Sequence, residues 1–317
     1  MFSFLKFLQS IINKVQRNKG LWFTILTVTS IIGVLISITL INMMTTNVAN
    51  KIYAQVHRVN TNQLENILET RYDSLLSVGG VVAIDPQIIQ NIKTKSDKSI
   101  HDILLKMQKA INTRVNIDPV KLNYYAASYK TSNSENFKYA NLVIETKTSI
   151  SGIVVNRDGV RVIAITPITD GNATIGAIEI SQSIVVVKND FEKLGKELAF
   201  IIDKSQLVFI DLKYKQGMLQ DINDRYKIFF HDYNPQFYSH IRKIDLNLLQ
   251  RQKYIVDNSY YITYDDTTDI DGKDIGLFII GESTKEANSF VNITKNLISS
   301  VTTVAIGLVI SLILFMF

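Results

Sequence analysis

The sequence predicts an α+β protein: a long N-terminal helix, then two successive strand–helix–hairpin modules, with an apolar segment at each end. Three observations predict it. Two uncharged stretches, Gly20–Asn50 and Asn296–Phe317, frame a polar segment of about 245 residues. Apolar residues recur at helical spacing from Val48 to Val78, with no proline or glycine before Gly79. Beyond Pro119, alternating apolar runs separated by Gly, Asn and Asp clusters fall into two groups.

The first apolar stretch, with its core at Leu21–Met44, and the second, Leu297–Phe317, are each long enough to cross a hydrocarbon layer, which takes about 20 apolar residues. The tail before the first carries Lys6, Lys14, Arg17 and Lys19 and no acidic residue. It is therefore expected inside, with both termini cytoplasmic and the central segment on the far side. A cleaved signal peptide would have a shorter apolar core and a small-residue cleavage site. Here the apolar run leads into a helical pattern without a break, which favours an uncleaved anchor. The chain stops with the second span, so a cytoplasmic output module is expected outside this chain.

Of the net charge of +5, the tail supplies +4. The central segment is nearly neutral and makes no case for nucleic-acid binding. Without cysteine there are no disulfides, thiolate metal sites or thiol nucleophiles.

Thr45–Val78 reads as a helix continuing the first span, with Gly79-Gly80 as a turn or bend. Asp85-Pro86 reads as an N-cap followed by an N1 proline. It should open a short helix, Gln87–Lys93, followed by a longer one, Lys98–Asn112. Leu122–Lys130 is expected as a strand and Glu135–Thr148 as a helix. Ser149–Ile184 reads as three antiparallel strands turning at Asn156–Gly159 and Asp170–Asn172. A helix at Val186–Leu194 should stop at Gly195. The pattern then recurs: strands at Leu198–Asp203 and Val208–Leu212, a helix at Asn234–Arg242, and a hairpin of Tyr260–Tyr264 and Ile275–Gly281. A helical return, Glu286–Asn296, leads into the second span.

These pieces resemble the double Cache sensor domains of bacterial chemoreceptors and sensor kinases, in particular the type 3 subgroup. The resemblance rests on ISGIVVNRDGVRVIAITPITDGNATIGAIEISQSI and VVVKNDFEKLGKELAFIID, then on YYITYDDTTDIDGKDIGLFIIGES. It implies two stacked PAS-like modules with antiparallel sheets. The corresponding divisions are a tail (1–20), a first transmembrane helix (21–44), a signalling helix (45–78), a membrane-distal module (79–196), a membrane-proximal module (197–295) and a second transmembrane helix (297–317). It also implies a ligand pocket in the distal module, a parallel homodimer, and signalling by small movements of the membrane helices. In many relatives an arginine four residues before the strand-end proline meets a ligand carboxylate. Before Pro167 that position is Ile163, and the nearest arginine, Arg161, lies two residues earlier on the same strand face. The only tryptophan, Trp22, lies in the first span, so the tryptophan-containing amino-acid motif of other double Cache receptors is absent.

The candidate ligand-binding residues are Tyr125, Tyr129, Tyr139, Arg161 and Ile163. Arg161 reads either as a fork for an anionic ligand or as an exposed strand arginine beside Arg157. Tyr125 and Tyr129 share a strand face and, with Tyr139, read either as pocket walls or as core. The turn bearing Asp265, Asp266, Asp269, Asp271 and Asp274 invites a calcium reading. In EF-hand register on Gly272, however, the first and last ligand positions are Thr267 and Phe278. A solvated hairpin turn is the expectation. The four histidines show no metal spacing, and no phosphate loop or nucleophile motif occurs. No enzyme activity, cofactor or metal is expected. The stripe at Thr45–Val78 reads as a dimer seam or as an intramolecular packing face.

The expected protein is a two-pass receptor of the bacterial inner membrane, most simply a methyl-accepting chemotaxis receptor. Its periplasmic domain would bind a small organic anion or amino acid and signal to cytoplasmic proteins. The sensory region of a histidine kinase or diguanylate cyclase would begin the same way. A membrane-tethered structural protein without a small ligand is the alternative from another class.

Overall fold

The computed structural model describes residues 19–94, 96–114, 119–128, 136–211, 219–229, 234–287 and 289–316. The chain divides into two compact units, Met1–Gln55 with Lys285–Phe317, and Val56–Thr284.

In the first unit the helix α1 (Lys19–Ala83) begins and the helix α9 (Ser289–Met316) ends the described chain. Small residues of α1, Ser30, Gly33 and Ser37, face Thr302 and Ala305 of α9 across a cavity of ≈ 370 Å³. Among the described residues one helical stretch, Val28–Ala83, is long and apolar enough to cross a membrane.

In the second unit α1 continues unbroken to Ala83, through the expected bend at Gly79-Gly80. The reason is packing: a Cβ at Gly79 would meet Thr166 Oγ1 at 2.7 Å. Glycine here allows close approach to a strand instead of making a turn. Asp85 then caps α2 (Pro86–Lys93), its Oδ1 accepting from the N–H groups of Gln87 and Ile88. α3 (Asp97–Arg114) is tied to the next strand by Asn112, whose side chain both accepts from Val120 N–H and donates to Val120 C=O.

The first sheet has the order β1-β4-β3-β2 and is antiparallel throughout. Its strands are β1 (Lys121–Ala126), β2 (Ile150–Asn156), β3 (Gly159–Asp170) and β4 (Ala173–Ser183). Gly159 (φ 99°) and Gly171 (φ 61°) supply the positive φ that the two tight turns require. Alternation gives the sheet two apolar faces. Val162, Ala164 and Ile180 face the end of α1, while Val154, Ile163, Ile165 and Ala177 lie under α4 (Phe137–Thr146).

After α5 (Val185–Lys193) comes the second sheet, of order β6-β7-β5-β10-β9-β8. It comprises β5 (Glu197–Asp203), β6 (Leu219–Asp221), β7 (Tyr226–Phe229), β8 (Tyr254–Val256), β9 (Tyr260–Thr268) and β10 (Asp274–Ser283). One face is covered by α6 (Pro235–Ile241) and α7 (Leu246–Gln252), through Phe237, Ile241 and Leu249. The other face joins the first sheet in a single core with Leu64, Leu75 and Val82 of α1. Each large aliphatic side chain buried there contributes about 1.5–3 kcal/mol. The short helix α8 (Thr284–Ala287) leads out of β10.

The strand expected at Val208–Leu212 is not formed in its described part. A 3₁₀-helical turn occupies Lys204–Phe209, capped by Asp203 Oδ1 accepting from Ser205 N–H, and Val208 is exposed. β7 takes the place beside β5 instead.

Candidate functional site on the first sheet

α4 starts at Phe137, and Asn136 stands at its N-cap position. An asparagine there ordinarily accepts from the first turn. Here the side chain makes no cap and its Nδ2 donates to Glu179 Oε2 at 3.0 Å. Two β1 side chains donate to the same carboxylate: Tyr125 Oη to Oε2 at 2.7 Å, and Asn123 Nδ2 to Oε1 at 3.0 Å. The register explains the meeting, because Asn123 lies opposite Glu179 and Tyr125 opposite Ala177, all on the face under α4.

Glu179 is 1% exposed, and no cationic side chain among the described residues is paired with it. Three converging donors suit a carboxylate that only accepts, and they leave one of its about four lone-pair positions open. Among the described residues this buried carboxylate therefore has neutral donors and no counter-ion.

Ile163 is wholly buried in the core beneath α4. Arg161 crosses to β4, where its Nε donates to Ser181 Oγ and its Nη2 to Ser181 C=O, both at 3.1 Å. It borders a ≈ 700 Å³ cavity with Lys121, Asn123 and Asp158, and Lys121 is itself paired with Asp158. Tyr139 donates to Asp271 Oδ2 at 2.9 Å. Burial holds its phenol above the usual range, opposed by Lys138 beside it. Tyr129 lies outside the described residues. The structure thus brings Tyr125 and Ile163 together on the α4-covered face and places Arg161 and Tyr139 at other partners. Sequence reasoning missed Glu179, Asn123 and Asn136. The available signal was a glutamate at an alternating position of the apolar strand IGAIEIS.

The acidic β9–β10 turn is also more than a solvated loop. Ile270 N–H donates to Ile153 C=O at 3.1 Å. Gly152 makes room for the Ile270 side chain, which a Cβ would meet at 2.5 Å. Asp271 is ion-paired with Lys138 of α4. The Lys138 ammonium holds the Asp271 carboxyl below the usual range, and Asp271 in turn raises Lys138. Among the described residues no cluster of three His, Asp or Glu side chains could hold a metal ion.

A polar seam joins α1 to the second sheet. Lys196 Nζ donates to Asn60 Oδ1 at 2.6 Å and Gln63 Oε1 at 2.7 Å, and lies 3.7 Å from Glu282. Arg71 pairs with Asp190 at 2.6 Å. Thr263 donates to Lys253 C=O at 2.8 Å, so its oxygen accepts from His57 Nδ1 at 2.5 Å. Burial first, and Lys253 second, push the His57 imidazole below its usual pKa.

No known family model matches the sequence, and no curated protein does. Solved structures are similar. One is the extracellular domain of vpHK1S-Z8, a protein assigned as a histidine kinase, with 9% identity, 75% of this chain and 98% of that one covered, and a TM-score of 0.45. Another is the ligand-binding domain of the Pseudomonas fluorescens chemoreceptor CtaA in complex with L-isoleucine, with 10% identity, 76% and 98% covered, and a TM-score of 0.37. A third is the sensor domain of the Vibrio cholerae histidine kinase DctB, with 8% identity, 73% and 98% covered, and a TM-score of 0.37. At such identities and scores, these likenesses leave the chain's function to its own residues.

Proposed function

We propose that this chain is the sensory part of a two-pass membrane receptor of the double Cache kind, binding a small solute between the first sheet and α4. The observation that carries this reading is Glu179, a buried carboxylate caged by neutral donors beneath a single helix. A solute ammonium supplies the missing counter-charge there. Of the organic anions and amino acids expected from the sequence, this favours the amino acids or another ammonium-bearing solute. The domain binds its solute and does not turn it over. α1 and α9 cross the inner membrane with the Val56–Thr284 unit outside, and two copies pair as a homodimer. Solute binding favours one arrangement of the helices, which a cytoplasmic chemotaxis, kinase or cyclase module reads.

The test is calorimetric titration of the full chain in detergent with a panel of amino acids, amines and carboxylates, repeated on Glu179→Gln. At least one ammonium-bearing solute should bind the wild type and bind the variant at least tenfold more weakly. A panel in which nothing binds, or in which the variant matches the wild type for every binder, would sink the reading.

A further inference from the structure

The turn between β9 and β10 of the second sheet is held in one shape by its own bonds. Asp269 Oδ1 accepts from the N–H groups of Asp271 and Lys273, both at 2.9 Å. Asp269 N–H donates to Lys273 C=O at 2.9 Å, and Gly272 takes the positive φ, 77°, that closes the loop. Ile270 and Asp271 sit at its tip, and both reach across to the first sheet. The Ile270 side chain fills the notch at Gly152 and packs on the core beneath α4, while its N–H holds Ile153 C=O of β2. The Asp271 carboxylate takes the Lys138 ammonium and the Tyr139 hydroxyl, the latter at 2.9 Å.

Lys138 and Tyr139 belong to the first turn of α4, the end of that helix with less to hold it. At the other end Lys147, in the left-handed region at φ 58°, closes the helix on Val143 C=O. Its Nζ also donates to Asn172 C=O in the β3–β4 turn at 2.9 Å. At the start, Asn136 gives its side chain to Glu179 and makes no cap. A helix start without its cap frays. Asp271 grips the helix just beyond Asn136, the residue whose amide helps to cage the buried carboxylate. The grip is weak: the Lys138 and Asp271 side chains are 60% and 49% exposed, where water and salt screen an ion pair. A weak contact of this kind can open while the rest of the fold stays closed.

We propose that the β9–β10 turn is a clasp from the second sheet that sets α4 over Glu179, with Asp271 a positioning residue for the solute held there. The proposal rests on the reading of Glu179 as the solute site. With the clasp shut, Asn136 keeps its place in the cage. With it open, the start of α4 lifts and Asn136 is withdrawn from Glu179. Ile270, seated on the core beneath α4, ties the same movement to the β9–β10 hairpin, and so to the sheet that packs on α1.

The test is hydrogen–deuterium exchange of the full chain in detergent, first without solute. The proteins are the wild type, Asp271→Asn, Asp271→Ala, and Lys138→Met with Tyr139→Phe, the last with and without Asp271→Ala. Asp271→Ala should speed exchange across Phe137–Thr146 at least fivefold while α6 and α7 keep their wild-type rates. Asp271→Asn keeps an acceptor for Tyr139 and should fall between. Where Lys138 and Tyr139 are already replaced, Asp271→Ala should add less than twofold, because its partners are gone. No solute enters this measurement, so it stands or fails apart from the titration of Glu179→Gln. Affinity is the second readout: any panel solute that Glu179→Gln weakens should bind Asp271→Ala at least threefold more weakly than the wild type. Where no panel solute binds, the exchange alone decides whether the clasp holds α4. Three results would overturn the proposal: unchanged exchange in Phe137–Thr146, faster exchange spread equally over α6 and α7, or wild-type affinity in Asp271→Ala.

Discussion

At the scale of single residues, the site is a matter of which donors meet one carboxylate. Glu179→Gln places an NH₂ group among donors, and Tyr125→Phe removes the shortest of the three bonds, 2.7 Å. Each should lower unfolding free energy by about 1–3 kcal/mol, measured by urea denaturation. Gly176→Ala tests the backbone beneath the same cage. Its Cβ would meet Tyr125 C=O at 2.7 Å and the Tyr124 ring at 2.9 Å, and the carbonyl belongs to a strand that cannot yield. A loss of about 1–3 kcal/mol is expected. Tyr125 was legible in the sequence because strand alternation and an aromatic with a polar tip single it out. Asn136 and Glu179 were not legible, because their meeting joins positions 43 residues apart and neither has a local pattern that announces it. For Tyr139 the sequence leaves pocket wall and core open, and its bond to Asp271 joins positions 132 residues apart, which no local pattern announces.

At the scale of elements, α1 is held to the second sheet by a polar seam with side chains of both signs. Lys196 and Glu282 are 13% and 14% exposed, so Lys196→Met leaves a nearly buried carboxylate beside Asn60 without its cation. The expected loss is about 3 kcal/mol, read from thermal unfolding. Asp265 on the same face of β9 is pushed up to about 6 from 3.8, first by burial and then by Glu65 and Asp266. Below pH 3.8 the folded and unfolded chains both hold its proton. Between 3.8 and about 6 the folded chain holds it more tightly, so stability falls as pH rises through this window. Asp265→Asn should remove that fall and raise the unfolding temperature at pH 7.5, with no gain at pH 4. His57 acts with the opposite sign. Its lowered pKa contributes stability that is present above 6.5 and is lost as pH falls through its folded value.

Element types were legible where periodicity was strong. The β2–β3–β4 meander, α3 and the Asp85 cap follow from alternation, helical spacing and Asp-Pro chemistry. Val208–Leu212 misled because a short apolar run reads alike for a strand and for an exposed turn. β6 and β8 are three residues each, too short to show a period.

At the scale of the whole molecule, the sequence shows two strand groups and a helix with an apolar stripe, but not that both sheets share one core along that stripe. Leu64 and Leu75 touch that core, and Val82 and Ala83 join them because Gly79 lets α1 run on past the expected bend. The reading of a sensor depends on the α4-covered face of the first sheet changing when a solute arrives. Hydrogen–deuterium exchange on the full chain, with and without a solute that titration shows to bind, tests this most directly. Slower exchange is expected in Phe137–Thr146 and Ala173–Ser183, with a matching change in the β9–β10 turn, which Asp271 fastens to the first of them and Ile270 to β2. Bound solute with exchange unchanged in those segments, or slowed only in α6 and α7, would contradict it.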